Sequence, residues 1–345
     1  MNALSEQISI DKFIETLLDE SIKDSDIVVG RFSDLEKSEL EALKESWPKV
    51  NPNRRRHIMR ELREVIENDM LVCFDGIALL ALEDRDPDVR KNAVGLLWEC
   101  EKKHLIPKLI EMMKEDENVE VRAAAATGLG KFVYLGEMEE IPTEAYTQTE
   151  NALLETIQGE DDKLVRRRAL EAVSFSYHRA VHDEIRKAYA SNDTDWVASA
   201  MFAMGRSADS RWSDMVIENL DHPSSDVQVA AINAAGELSL AEAREPLLVM
   251  LEGRQLAEDL QQVIVWSLSQ IGGENVRSAL EYLLETIEED GDDEIIEFLE
   301  SALENLEFND NVQILDMFDF EIGEEDDLLY GSDMYLDEDD TENID

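Results

Sequence analysis

Residues 86–99, DPDVRKNAVGLLWE, and residues 117–132, ENVEVRAAAATGLGKF, decide the fold. In each, a β-branched residue (Val89, Val121) follows a polar turn, with a small residue four positions on (Ala93, Ala125). A small or apolar pair follows three and four positions later. The phrase returns at Val165, Trp196, Val227, Val263 and Ile295, with successive spacings of 32, 44, 31, 31, 36 and 32 residues. Apolar and small residues at i, i+4, i+7 and i+8 mark one face of a helix. A helical phrase recurring at roughly thirty residues marks a solenoid, in which each unit buries its apolar face against its neighbours. The expected fold class is therefore all-α: a right-handed α-solenoid of about eight helical pairs. Its expected limits are residues 33–308, with an N-terminal docking helix and linker over 1–32 and a disordered acidic tail over 309–345.

Composition agrees. Hydrophobic residues make up 43% of the 345, enough for a continuous core. Lys+Arg number 32 against 81 Asp+Glu, a formal charge of -49. Such a surface repels anionic membranes and nucleic acid, so a protein partner is expected and nucleic acid is disfavoured. The acidity is concentrated late in the chain. Arg277 is the last basic residue, and the 68 residues after it hold 27 carboxylates. Salt adaptation would spread acidity evenly and deplete lysine, which this chain does not do. The two cysteines, Cys73 and Cys100, lie in apolar runs and read as small buried hydrophobes. The first residues, MNALSEQISIDKF, lack the basic and apolar pattern of a signal peptide, and no stretch approaches a membrane span. A cytoplasmic location is expected.

Along the chain, Ile10, Phe13, Ile14, Leu17 and Leu18 share one helical face and suit a docking helix. A degenerate first repeat is expected at residues 35–66, with Ile58 lying 31 before Val89. Pro87 fits the first turn of a second helix. Gly130, Gly205, Gly236 and Gly272 stand nine residues beyond their anchors, where a helix is expected to end. The 44-residue interval holds an insertion, residues 134–146, which is expected to form an edge loop. The tail carries 15 carboxylates with Phe318, Phe320, Tyr330 and Tyr335, and is expected to capture basic partners, to cover the chain's own basic clusters, or only to solubilise the chain.

The two opening phrases resemble HEAT-like repeats of the phycobilisome-lyase type, whose core is Asp–Val–Arg followed by Ala–x–x–x–Leu–Gly. The resemblance covers residues ~33–308. It implies a protein-binding scaffold first, a bilin lyase or its chaperone second, and a nucleic-acid repair protein third, because the fold serves all three. It also implies a ladder between adjacent units. Arg90, Arg122 and Arg166 follow their anchors, and each has an acid six residues earlier: Asp84, Asp116 and Glu160.

No catalytic, cofactor or metal motif stands out, and no enzyme activity or cofactor is expected. His178 and His182 fall at i, i+4 but lack the glutamate of a HExxH site. Trp98, Tyr177, His178, Phe202 and Trp266 are the residues a bilin groove would use. Partner binding is expected at the residues that depart from the acidic background. One cluster runs Arg54-Arg55-Arg56-His57 with Arg60 and Arg63, and another spans Arg166-Arg167-Arg168. Arg206, Arg211 and Trp212 sit at a tight turn, where Arg and Trp are common interface anchors.

Overall fold

The computed structural model describes residues 8–23, 27, 29–69, 71–159, 161–253, 256–288 and 293–326. The regular elements among these residues are all helices, with no strand. A short helix, α1 (Ile10–Leu18), precedes eight successive helix pairs. The pairs are α2 (Lys37–Ser46) with α3 (Pro52–Asn68), α4 (Asp75–Ala81) with α5 (Pro87–Leu96), and α6 (Leu105–Glu115) with α7 (Val119–Glu137). They continue with α8 (Thr143–Gln158) and α9 (Lys163–Val173), α10 (Arg179–Tyr189) and α11 (Thr194–Arg206), and α12 (Ser213–Glu218) and α13 (Ser225–Glu237). The last two are α14 (Arg244–Gly253) with α15 (Glu258–Ile271) and α16 (Val276–Glu288) with α17 (Asp293–Asp326). The chain divides into two compact units, residues 1–234 and 235–345.

In the first unit the second helices stack in order, α3 on α5, α5 on α7, α7 on α9 and α9 on α11. The repeated phrase forms the seam between them. Val89, Val121, Val165 and Val227 are fully buried, as are the small residues four positions on: Ala93, Ala125, Ala169, Ala200 and Ala231. A small side chain at that position lets neighbouring helices approach closely, and the apolar pair that follows fills the layer beneath. Polar caps start these helices. Asn51, Asp86, Asn118, Asp162 and Asp193 each accept a backbone N–H two residues on.

Helix α1 buries Phe13 and Leu17, while Leu18 turns outward. Phe13 meets Phe32 edge-on at 4.9 Å, and Phe32 meets Trp47 at 6.2 Å. The Arg54 guanidinium donates to the carbonyls of Leu17 and Asp19, both at 2.9 Å, and of Ile22 at 2.5 Å. These carbonyls belong to the last turn of α1 and the turn that follows it, where helical donors run out, so Arg54 ties this segment to α3.

In the second unit α15 packs on α17, and each of α14 and α16 packs on its pair mate. Asn305 donates to Ser269 Oγ at 2.9 Å, and Arg244 donates to the Gly272 carbonyl at 2.6 Å, closing the end of α15.

Three expectations change. Gly130 lies inside α7, not at its end. A Cβ there would stand 3.1 Å from Ala172 Cα, so this glycine serves close packing of α7 on α9. Gly272, by contrast, ends α15 with φ 63°, a left-handed conformation that favours glycine. The insertion is not a loop, because its residues lengthen α7 to Glu137 and begin α8 at Thr143. Finally, α17 continues past 308 to Asp326, so the helix overruns the expected start of a disordered tail. Residues 309–322 contain no proline or glycine to stop it. The rest of that tail, 327–345, falls outside the described residues.

Candidate functional site

Arginines join the first units, with a connectivity that spacing alone does not give. Arg90 sends Nε and Nη2 to the two Asp116 oxygens, each at 2.8 Å, while Nη1 donates to the Asp84 carbonyl at 2.8 Å. Arg122 repeats this on Asp161 and the Asp116 carbonyl, at 2.9 and 2.8 Å. Each arginine thus holds the backbone of its own turn and the carboxylate of the next. Asp84 receives the preceding unit's Arg55 at 2.9 Å and the Trp47 indole N–H at 2.8 Å. Burial acts to raise the Asp116 carboxyl, but the hydrogen bonds from Arg90 and the Asn118 N–H prevail and hold it below the usual range. Among the described residues Arg166 makes no such fork: it donates to the Ile157 carbonyl at 2.9 Å and lies 5.4 Å over the Trp196 ring. Its expected partner, Glu160, lies outside the described residues. Arg90 and Arg122 each link the turns of two adjacent units.

The expected partner-binding residues divide. Arg55 is buried in the ladder and Trp212 is buried in the core, so neither offers a surface. Arg56 pairs with Asp86 at 2.6 Å, and Arg63 pairs with Glu67 at 3.2 Å. Arg167 donates to Ser199 Oγ at 2.8 Å and lies 3.3 Å from Asp195. Since Arg168 pairs with the buried Glu171, this second cluster is neutralised internally. Arg211 pairs with Asp209 at 2.5 Å and approaches His182 Nδ1 at 3.1 Å. His182 is buried beside Trp212. Burial first and the Arg211 charge second hold it below the usual imidazole range. His178 instead caps α10, accepting the Ala180 N–H at 3.3 Å, so the two histidines serve separate tasks. Arg60 and Arg206 are exposed.

At the C-terminal ends of the second helices the structure assembles an edge. Tyr134 meets Phe175 edge-on at 5.3 Å. The Arg206 guanidinium lies between Phe175 and Phe202, 4.9 and 5.0 Å from their ring centres. Trp98, Tyr134, Met138 and Tyr177 are 57%, 44%, 50% and 58% exposed. Their backbones are fixed. Lys131 Nζ donates to the carbonyls of Leu97, Trp98 and Cys100 at 3.1, 2.9 and 2.5 Å, locking the turn that presents Trp98. Burial lowers the Lys131 ammonium below its usual range. The Tyr146 hydroxyl donates to Glu137 at 2.6 Å, Ser176 donates to the buried Glu150 at 2.5 Å, and the Tyr177 N–H donates to Glu137 at 3.1 Å. Burial, then the Glu137 hydrogen bond, raises the Tyr146 phenol far above its usual range. The insertion therefore pins the edge of α7 to the turn after α9.

With this geometry in view, a family model for HEAT repeats matches residues 76–143 and 213–304. The chain contains HEAT repeats over those two stretches. Solved structures similar to this chain include YibA of E. coli, with 18% identity over 84% of this chain and 98% of that one, at a TM-score of 0.40. The complex of CpcE and CpcF of phycocyanin lyase from Nostoc sp. PCC7120 shows 20% identity over 67% and 94%, at 0.43. Human deoxyhypusine hydroxylase shows 12% over 78% and 97%, at 0.33. No curated protein matches the sequence.

Among the described residues, no three His, Cys, Asp or Glu side chains converge in a metal-binding group. No helix is long and apolar enough to cross a membrane. Cys73 is exposed, contrary to expectation, while Cys100 is buried. The sequence reading missed Arg54, Arg55, Tyr134 and Phe175 in their observed roles. Asn51-Pro52 aligns with Asp86-Pro87, and that signal places Arg55 on Arg90 directly.

Proposed function

We propose that this chain is a non-catalytic scaffold that holds a partner protein along the edge formed by the C-terminal ends of α5, α7, α9 and α11. The observation that carries this is the exposed Arg206, stacked between Phe175 and Phe202 beside Tyr134. A guanidinium held on two rings has lost its rotamer freedom before binding, and Arg, Tyr and Trp are the side chains that anchor protein interfaces. Aromatics are only 6% of the chain, so their gathering at one edge is a feature of the site and not of composition. Exposed Glu99, Glu139 and Glu140 flank the edge, so a partner with basic residues around an apolar centre fits it. The free thiols fit a reducing compartment, and we place the protein in the cytoplasm.

The test is affinity capture from native lysate with the wild-type chain and with the triple variant Trp98→Ala/Tyr134→Ala/Arg206→Ala. Truncating two or three anchors should reduce recovery of the specific partner by at least about tenfold. Equal recovery by a triple variant that melts like wild type overturns the reading. The Phe175–Phe202 stack would also suit a flat conjugated ligand. Coexpression with a bilin separates this second reading, since a bound bilin gives the purified chain a visible absorbance band.

A further inference from the structure

The geometry points to a second site, independent of the aromatic edge and near the opposite ends of the second helices: a cleft between α3 and α5 that takes a carboxylate-rich peptide segment. The cleft has a volume of about 370 Å³ and is lined by Arg56, Arg60, Asp88, Lys91 and Asn92. Asn51 and Asp86 cap the two helices, so Arg56 and Lys91 occupy the same register, each five residues beyond its cap. Arg60 stands one turn further along α3.

The charge balance in the cleft is what marks it. Most arginines of the first unit are committed to carboxylates or helix ends, as in the ladder, in Arg54 and in the Arg167–Arg168 cluster. In the cleft, Arg56 has Asp86 at 2.6 Å. Arg60 makes a long contact to the Arg56 carbonyl at 3.5 Å. No carboxylate lies within ion-pair distance of Arg60 or Lys91 among the described residues. Carboxylates outnumber bases 81 to 32 in this chain, so two adjacent cations without one mark a place open to an anion from outside. Arg63, the next arginine along α3, is held instead by Glu67 at 3.2 Å and lies against Gly95 of α5, where a Cβ would fall 1.6 Å from its Nη1.

The lining also selects the kind of anion. A free phosphate would face the exposed Asp88 carboxylate, which repels it. A peptide presents carboxylates to Arg60 and Lys91 and backbone N–H groups to Asp88 and to Asn92 Oδ1. The Asn92 amide already donates to the Asp88 carbonyl at 2.8 Å, which orients that oxygen. A nucleic-acid strand needs a continuous positive track. The register that carries Arg56 and Lys91 carries Ala123 on α7, and on α9 it carries Arg167, which is bound to Ser199 and Asp195. The positive surface therefore ends after two helices, the reach of a short acidic segment.

The experiment uses the full chain at about 0.15 M salt, where the Debye length of about 8 Å screens the distant acidic surface and leaves contacts in the cleft intact. A fluorescein-labelled glutamate-rich peptide is titrated by anisotropy against wild type, Arg60→Gln/Lys91→Gln, and the aromatic-edge triple variant. The expected result is saturable binding by wild type, a loss of at least about tenfold in the Arg60/Lys91 variant, and no change in the edge variant. Thermal melts check that the substitutions, at exposed Arg60 and half-buried Lys91, leave the fold intact. No binding up to about 1 mM peptide, or equal binding by the Arg60/Lys91 variant, overturns the site. Displacement of the peptide by equimolar inorganic phosphate would make it a free-oxyanion site instead. Tighter binding of a single-stranded oligonucleotide than of the peptide would make it a nucleic-acid surface. Either outcome overturns the peptide assignment, and neither bears on the aromatic edge.

Discussion

Replacing Arg90 by alanine tests the ladder most directly. The side chain makes a forked pair with Asp116, two bonds of 2.8 Å, and a third bond of 2.8 Å to the Asp84 carbonyl. Arg90 and Asp116 retain 11% and 8% side-chain exposure. Alanine would leave the Asp116 carboxylate shielded from water with the Asn118 N–H, at 2.9 Å, as its nearest remaining donor. Breaking one side of a buried pair costs about 3–5 kcal/mol. The residual exposure and the access of water to the turn favour the lower end, about 3 kcal/mol. For a unit of this size each kcal/mol lowers the melting temperature by about 2–4 °C, so the first unit should melt roughly 6–12 °C lower. Arg90→Lys keeps the charge but loses the fork, and should fall between the two. In a double-mutant cycle with Asp116→Asn, the combined loss should be smaller than the sum of the two, since the second substitution removes the stranded charge. If Arg90→Ala melts within about 2 °C of wild type, the ladder is ornamental and the argument fails.

Two further outcomes are expected. Gly130→Val should lower the urea midpoint of the first unit by the equivalent of about 1–3 kcal/mol, because its Cβ meets Ala172 backbone, which cannot yield. Gly95→Ala meets only the movable end of Arg63 and should be far milder; equal losses in the two would contradict the close-approach reading. The His182 value is depressed in the folded state, so the folded chain binds fewer protons there than the unfolded chain. Its stabilising contribution is therefore complete above the unfolded value of about 6.5 and is lost as the pH falls through the lowered folded value. Urea midpoints of wild type and His182→Gln between pH 7 and 5 (about the window of an ordinary histidine) should converge on acidification, and parallel curves would refute this.

The seam was legible because burial and periodicity are the same fact: Val89, Ala93, Val121 and Ala125 recur at helical spacing and are all buried. The register of the first unit was not. Ile58 and Leu62 repeat the apolar pattern one turn late, and a period of 3.6 residues does not distinguish a slip of four. Only the Asn51-Pro52 cap fixes it, and with it the roles of Arg54 and Arg55. Trp212 stayed open for a different reason, since the ring and charge that suit an interface equally suit a core, and only its 1% exposure decides. The Tyr134–Phe175 contact was hidden because the residues lie 41 positions apart on different helical pairs. For α17 the charge pattern spoke for disorder, yet charge alone does not stop a helix whose residues 309–322 hold no proline or glycine.

The change in bracing at Arg166 gives the first unit two electrostatic regimes. From Trp47 to Asp161 each turn is tied to the next by a shielded charged strut that also grips its own backbone. Bending there must stretch several short bonds at once. At the next step Lys163 and Arg167 reach Asp193 and Asp195, at 2.9, 2.8 and 3.3 Å, through carboxylates open to solvent. Exposed pairs of this kind are weak and are screened by salt, while shielded ones are screened much less. Trp98 and Tyr134 stand on the shielded part and Arg206 beyond it, so a partner seated across the edge would meet one end whose bracing loosens as ionic strength rises and one end whose bracing does not.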